Sequence, residues 1–242
     1  MHTQKCLTDD LVRLGVGAGD TLFVHSSFKS LGPVDGAAAT VIASLEDALA
    51  PGGLLLMPSF NLVEKDKRAE TWNVATTPST VGYLTEFFRL MPGTVRSDHY
   101  SHSAAARGCG AGDFVAGHLT SEGPESPWDR APWGRTFGAR SPFLQAYDRG
   151  GKLLMLGVDY HSSTFVHLVE TLWWNERRET NPEQEYVFLH RDKLGGYWDS
   201  LGRLARGHVG DADCRLFAIR DFVETLLDLV RREPENWMKW QK

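Results

Sequence analysis

The stretch from Gly150 to Glu170, GGKLLMLGVDYHSSTFVHLVE, constrains the fold more than any other part of the chain. After two glycines comes a short apolar run, Lys152–Val158, whose length and boundaries predict a buried strand. The hydroxyl residues at 162–164 then offer caps for a helix that begins near Thr164. A buried strand followed directly by a helix is the building unit of an α/β sheet, and open sheets of this kind bind ligands at the ends of their strands.

The first 60 residues show the same alternation of helix and strand. Apolar spacing predicts helices at Thr8–Leu14, with Thr8 as the cap, and at Gly36–Ala50. Compact apolar runs predict strands at Thr21–His25 and Leu54–Met57. We therefore expect an α/β fold with a central, mostly parallel or mixed sheet flanked by helices.

The middle of the chain is predicted to hold three further helices and two long loops. One helix begins at Thr76–Ser79, and the other two span Gly112–Leu119 and Ser141–Arg149. The loops cover Asn61–Ala75 and Ser121–Gly138. The second loop contains Trp128, Trp133 and Phe137 and is long enough to form a lid, a substrate wall or a contact with a second subunit.

The carboxyl-terminal part predicts a smaller strand-helix addition to the sheet. Its elements are strands at Glu185–His190 and Cys214–Ile219 and a closing helix at Asp221–Arg232. Because 242 residues suit one large domain, we expect residues 1–242 to form a single domain.

Composition excludes some classes of partner and location. The formal net charge is -5 and no run is rich in Lys or Arg, so nucleic acid is not an expected partner. No apolar run approaches ~20 residues and the first residues lack a signal-peptide core, so no membrane association is expected. Three widely spaced cysteines suggest no disulfide framework and favour a cytoplasmic protein. We expect the protein to be a monomer or a homodimer.

His167 and Glu170 form the sharpest candidate for chemistry. They are three residues apart on the helix that follows the buried strand, so their side chains share one face. Such a pair is common on helix surfaces and in satisfied cores, but its place after a strand end also fits a histidine general base beside a carboxylate.

Two other polar groups follow predicted strands. His25, Ser26 and Ser27 end the strand at Thr21–His25, where hydroxyls and backbone N–H groups suit a phosphate or pantetheine arm, or simply form a polar turn. The second group lies within eight residues and consists of Arg96, Ser97, His99, His102 and Ser103. It suits an anion or substrate contact, a hydrogen-bonded loop or a metal site, although further ligands at a recognised spacing are missing.

Three long blocks, in this order, resemble the aminoglycoside 3-N-acetyltransferase family, which has the antibiotic N-acetyltransferase fold. They are HSSFKSLGPVDG, TPSTVGYLTEFFRLMPGTVRSDHYSHSAAARG and SPFLQAYDRGGKLLMLGVDYHSSTFVHLVE, and the match runs from about Asp20 to Glu170. The resemblance implies an enzyme that transfers the acetyl group of acetyl-CoA to an amine of a small molecule. Members of the family acetylate the 3-amino group of aminoglycosides, which gives antibiotic resistance.

The resemblance also implies roles for residues. The histidine matching His167 is the family's proposed general base, and Glu170 fits the acidic neighbour that tunes it. Acetyl-CoA is the implied co-substrate, with no metal. The residues that match its binding site are His25, Ser26, Ser27, Phe28, Leu31, Gly32, Ser79 and Ser103.

The acceptor stays open at this stage. Tyr100 stands where the family usually has proline, and the chain is shorter than typical aminoglycoside-modifying members. Two alternative functions also stay open. One is a metal-dependent hydrolase that uses His25, His99, His102 and His167, and the other is a non-catalytic relative that only binds acetyl-CoA.

Overall fold

The computed structural model of the protein describes residues 1–63, 67–120 and 122–239. The helices are α1 Gln4–Leu14, α2 Ala37–Leu49, α3 Arg68–Thr71, α4 Tyr83–Leu90, α5 Ala111–Ala116, α6 Pro142–Asp148, α7 Phe165–Thr180, α8 Arg191–Ser200, α9 Ile219–Arg232 and α10 Pro234–Trp237. The strands are β1 Thr21–Ser26, β2 Leu54–Pro58, β3 Val95–Arg96, β4 Ala104–Gly108, β5 Lys152–Leu156, β6 Phe188–Leu189, β7 Ala205–Val209, β8 Ala212–Ala218 and β9 Met238–Lys239.

Seven strands form one mixed sheet in the order β3-β4-β2-β1-β5-β8-β7. The centre is parallel, because β1 pairs in parallel with both β2 and β5, and every other pairing in this sheet is antiparallel. The strands β6 and β9 form a separate antiparallel pair. The expected α/β fold with a mixed sheet and a carboxyl-terminal strand-helix addition is confirmed.

Helices cover both faces of the sheet, which explains why its central strands are almost continuously apolar. Side chains alternate between the faces, so Phe23 and Met155 join a core cluster with α6, α7 and α9. Val24 and Leu154 belong to the opposite cluster, which contains the buried faces of α1 and α2. The pairing of β1 with β5 places the ends of these two parallel strands side by side, and α7 begins near that edge.

Three predicted boundaries were wrong because local hydrogen bonds override the apolar spacing. Helix α1 begins at Gln4 rather than Thr8, since the Thr3 hydroxyl caps the Cys6 N–H at 3.3 Å. Helix α4 begins at Tyr83 rather than at Thr76–Ser79 because Gly82 is its N-cap. Helix α7 continues to Thr180, close to the start of the predicted strand at Glu185–His190. That strand shortens to β6, which pairs with β9.

Five of the elements given above were missed from the sequence: α3, α8, α10, β7 and β9. Helix α8 contains a Gly-Gly pair, and β7 is a largely exposed edge strand whose polar residues show no alternation. Part of one loop prediction, residues 64–66, and the first residue of the other, Ser121, lie outside the described residues.

Candidate active site

A cavity of about 530 Å³ opens at the ends of β1 and β2. Its wall includes His25 and Ser26 from the end of β1, Pro58 from the end of β2, and Thr164 and His167 from the start of α7. Clefts beyond the carboxyl ends of parallel strands are where open α/β sheets bind their ligands. The fold therefore brings the two most informative predicted segments to one cavity, which we call the cleft.

His167 is held from behind by a buried carboxylate. Its Nδ1 lies 2.5 Å from Oε2 of Glu170, whose side chain is fully buried. The hydroxyl of Tyr186 donates to the same oxygen at 3.0 Å, and the Leu189 N–H donates to Oε1 at 2.8 Å. Because three donors converge on this carboxylate, it acts as an acceptor and fixes the proton of His167 on Nδ1.

The second nitrogen of His167, Nε2, faces Arg191 at the start of α8. The Arg191 guanidinium donates to Nε2 and, at 2.6 Å, to the carbonyl of His161. A guanidinium can only donate hydrogen bonds, so Nε2 is the unprotonated nitrogen. The contacts at Nδ1 and Nε2 thus indicate the same tautomer, with the proton on Nδ1 and the lone pair of Nε2 facing Arg191 in the wall of the cleft.

Aromatic rings form the wall around this imidazole. The Trp128 ring centroid lies 4.9 Å from that of His167, and Phe188 contributes a second ring at 6.0 Å. The Tyr100 hydroxyl donates to the Trp128 carbonyl at 2.8 Å and so attaches the Trp128 loop to the 97–103 segment. Trp128 therefore serves as a wall of the cleft, whereas Phe137 of the same loop is buried in the core.

His25 and Ser26 lie on the cleft, as the sequence suggested. Burial, and then the charge of Arg191, lower the pKa of His25 to about 3, so this ring is neutral. The Thr164 N–H points to its Nε2 at 3.5 Å, across the junction between β1 and α7. The hydroxyl of Ser26 is buried and has no hydrogen-bond partner among the described residues.

The other residues predicted after β1 form the turn that follows it. The N–H of Ser27 donates to the Leu156 carbonyl at 2.9 Å, so it is already engaged. Phe28 packs edge-on against Tyr83, and Leu31 is buried in the core. At Gly32, φ is +73° and a Cβ would lie 1.9 Å from a carboxylate oxygen of Asp211, so only glycine fits there.

A second cavity of about 530 Å³ lies beside this turn and is lined by Ser30, Gly157 and Arg215 among others. Ser162 lines both cavities. The turn after β1 thus stands next to a second cavity, which has Ser162 in common with the cleft.

Ser79 and Ser103 are placed away from the cleft wall. The Ser79 N–H donates to Glu86 at 2.7 Å, and its hydroxyl lies 3.0 Å from that of Thr85. The Ser103 hydroxyl donates to the Ser97 carbonyl at 2.7 Å and accepts from Arg96 at 3.1 Å. Both are buried, and their coenzyme contacts stay predictions.

Arg96 is an internal organiser of loops. Its guanidinium donates to three carbonyls, at 2.5 Å to Ser59, 2.6 Å to Thr77 and 3.1 Å to Val74. These bonds occupy the donors of the guanidinium. Of the three interpretations of the segment at 96–103, they favour a hydrogen-bonded loop.

The neighbouring histidines are buried and bonded to the protein. His99 Nδ1 accepts from the N–H groups of Ser101 and His102, and His102 Nδ1 lies 2.6 Å from the Ser101 hydroxyl. Burial, followed by neighbouring histidines and Arg68, lowers the pKa of both rings. Within residues 1–63, 67–120 and 122–239, no group of three or more His, Cys, Asp or Glu side chains is arranged to hold a metal ion.

Sequence reasoning missed Arg191 and Arg68, which line the cleft. Arg191 belongs to α8, which was not predicted, and a single arginine within HRDK has the appearance of a solvated charge. Tyr186 and the Leu189 N–H were missed for a related reason, since their contact with Glu170 depends on the tertiary path after α7. No local signal marks these residues.

Comparison with known proteins agrees with the architecture. The family model described as aminoglycoside 3-N-acetyltransferase matches residues 23–231. Aminoglycoside N(3)-acetyltransferase III from Salmonella sp is 34% identical over 92% of this chain and 89% of the relative. Among the described helices, none is long and apolar enough to cross a bilayer.

Two solved structures share the fold. AAC(3)-IVa, as a mutant in complex with apramycin, superposes with a TM-score of 0.75 at 26% identity, covering 96% of this chain and 93% of the other. AAC-IIIb, solved with CoASH, superposes with a TM-score of 0.74 over 96% and 97% of the two chains, and its 22% identity shows the fold alone.

Fold and cleft together define the class of this protein, an α/β acyltransferase with a ligand cleft at the strand ends. The chain belongs to the aminoglycoside 3-N-acetyltransferase family.

Proposed function

We propose that this protein transfers the acetyl group of acetyl-CoA to an amine of a small molecule, with His167 as the general base. The observation that carries the proposal is the geometry of the imidazole: Nδ1 is held 2.5 Å from Glu170, and Nε2 faces the Arg191 side chain in the wall of the cleft. Family membership supplies the reaction class.

Acetyl-CoA supplies an acetyl group that is already activated as a thioester. A primary amine is protonated at neutral pH, so it must lose a proton before it can attack. His167 Nε2 has the lone pair that accepts a proton from the acceptor nitrogen, and buried Glu170 stabilises the imidazolium that results. The acetyl group moves from sulfur to nitrogen, and the coenzyme leaves as the free thiol.

The cleft fits the donor. The unpartnered hydroxyl of Ser26 is a buried polar group that a ligand can satisfy, and the second cavity beside the turn at 27–32 has Ser162 in common with the cleft. We assign the donor to His25, Ser26 and this turn, with Ser27, Phe28, Leu31 and Gly32 shaping it. Contacts from Ser79 and Ser103 are the weaker part of the proposal, because both hydroxyls are engaged within the protein.

Several broader properties belong to the same proposal. Residues 1–242 act as one acetyl-CoA-dependent domain, because both core clusters pack on a single sheet. The protein is cytoplasmic, a monomer or a homodimer, and has no nucleic acid partner. Its three cysteines are free, as expected in a reducing compartment.

A thiol-release assay with acetyl-CoA tests the function. Purified protein is mixed with acetyl-CoA and single amines, including apramycin, and the product is identified by mass spectrometry. We expect thiol release that depends on the amine and a product heavier by one acetyl group.

The alternatives give different outcomes. Turnover that disappears with a chelator and returns with a metal would identify the hydrolase. Binding of acetyl-CoA in calorimetry without turnover of any amine would identify a non-catalytic relative, and either result would contradict the proposal.

A further inference from the structure

The cleft is lined by two cations and by no anion among the described residues. Arg68 and Arg191 contribute guanidinium groups to its wall, and no Asp or Glu side chain of the described part of the chain lines it. Glu170 stands behind His167 with its side chain fully buried and its oxygens occupied by three donors. The charged side chains that the described residues contribute to the cleft wall are therefore those of two arginines.

Arg68 is a cation with an incomplete set of partners. Its one hydrogen bond, to the Asn61 carbonyl, is long at 3.5 Å, and its Nε is buried without any partner. Among the described residues, no carboxylate acts on its charge, and its partners are the Asn61 carbonyl and the nearby Tyr100. A half-buried guanidinium in this state has unused donors that suit carboxylate or phosphate oxygens.

Arg191, like Arg68, has no described counter-ion, although it makes more hydrogen bonds. It donates to the His161 carbonyl and to Nε2 of His167, and it too lacks a carboxylate partner among the described residues. Its contact with Nε2 occupies the lone pair that the base needs. A ligand group that displaced Arg191 would leave Nε2 free to accept a proton from an amine.

We propose that the acceptor is an amine that also carries an anionic group, a carboxylate or a phosphate, which pairs with Arg191 and Arg68. This inference rests on the proposed function. A guanidinium binds an anionic oxygen more strongly than a neutral imidazole, so the acceptor's own anion draws Arg191 away and exposes Nε2. Arg191 is thereby a specificity-determining residue. A polycationic aminoglycoside would instead bring ammonium groups toward two guanidinium groups with no counter-charge on the wall.

Matched acceptors test the proposal. Linear ω-amino carboxylates with two to four methylenes are compared with their primary amides in the thiol-release assay, and apramycin serves as the polycationic arm. We expect kcat/KM for the carboxylates to exceed that for the amides by about 10- to 100-fold.

Substitution of Arg191 should reverse this preference. In Arg191→Gln the carboxylates lose about 10- to 100-fold in kcat/KM, while the amides gain because Nε2 is free. Arg68→Gln lowers kcat/KM for the carboxylates more than for the amides. Arg232→Gln, at an exposed arginine of α9 far along the chain from the cleft, is the matched control and changes neither series. Thermal melting of each variant confirms that it is folded.

Three outcomes would overturn the inference. Equal kcat/KM for carboxylates, amides and apramycin would overturn it while leaving the proposed function in place. A KM for acetyl-CoA that rises in Arg191→Gln with every acceptor would assign the arginines to the phosphates of the coenzyme. No thiol release from folded protein with any amine would overturn the proposed function, and the inference with it.

Discussion

His167 and His118 are both held by hydrogen bonds at each ring nitrogen, but the partners differ in kind. His118 lies fully inside the protein, with Nδ1 2.9 Å from the Ser97 hydroxyl and Nε2 3.0 Å from the Thr136 carbonyl. His167 has one nitrogen on a buried carboxylate and the other on Arg191, a side chain at the cleft. The difference separates a histidine that supports loops from one whose lone pair a ligand can reach.

Removal of the imidazole at position 167 should give the largest effect. His167→Ala should lower kcat by about 10²–10⁴-fold, because no other group in the cleft has a carboxylate partner to stabilise a proton. Steady-state thiol release measures this, and calorimetry should show that acetyl-CoA still binds. His208→Ala, at an exposed histidine, is the control. Full activity in His167→Ala would mean that His167, like His118, has only a structural role.

Glu170→Gln should also lower turnover. An amide keeps the shape of the side chain but lacks the charge that stabilises an imidazolium and no longer selects the tautomer of His167, so kcat should fall by up to about 10⁴-fold with the base still present. The measurement is kcat as a function of acceptor concentration. An unchanged kcat would mean that Glu170 serves only to hold the segment at 186–189.

The buried histidines should make the fold sensitive to acid. The pKa of His118 is lowered to about 4 and that of His25 to about 3, so between pH 6.5 and these values the unfolded chain binds protons that the folded protein does not. Stability therefore falls as pH falls below 6.5. Each of these histidines should cost about 2 kcal/mol at pH 5 relative to pH 8.

Urea unfolding at pH 8, 6 and 5 measures this dependence. In His118→Gln the slope of unfolding free energy against pH should decrease by about 1.4 kcal/mol per unit between pH 6 and 5, since one proton uptake is lost. The amide can still donate to the Thr136 carbonyl. A wild-type stability that is flat from pH 8 to 5 would mean that these rings are not held neutral.

Most of the sheet could be predicted from the sequence, but less of the cleft could. Strands β1 and β5 were predictable because burial on both faces requires apolar runs with glycines at the ends. Edge strand β7 and helix α8 lacked such a signal, since partial exposure leaves their polar residues unrestricted. Helical spacing was enough to join His167 with Glu170, whereas the approach of Arg191 depends on how the chain returns after α7.

The loop after β3 shows the same limit. The sequence placed His99, His102 and Arg96 close together but could not say whether they face a ligand or each other. Arg96 lies against three carbonyls from the 59–77 region, contacts between segments that no spacing rule anticipates.

Glu170 binds the imidazole of α7 and also the Tyr186 hydroxyl and Leu189 N–H of the segment that carries Phe188. One carboxylate thus ties the strength of the base to the shape of the acceptor wall. A change in acceptor specificity that shifts residues 186–189 would also change the hydrogen bonds that support the His167 ring. Acceptor specificity and the rate of catalysis therefore cannot evolve independently in this part of the cleft.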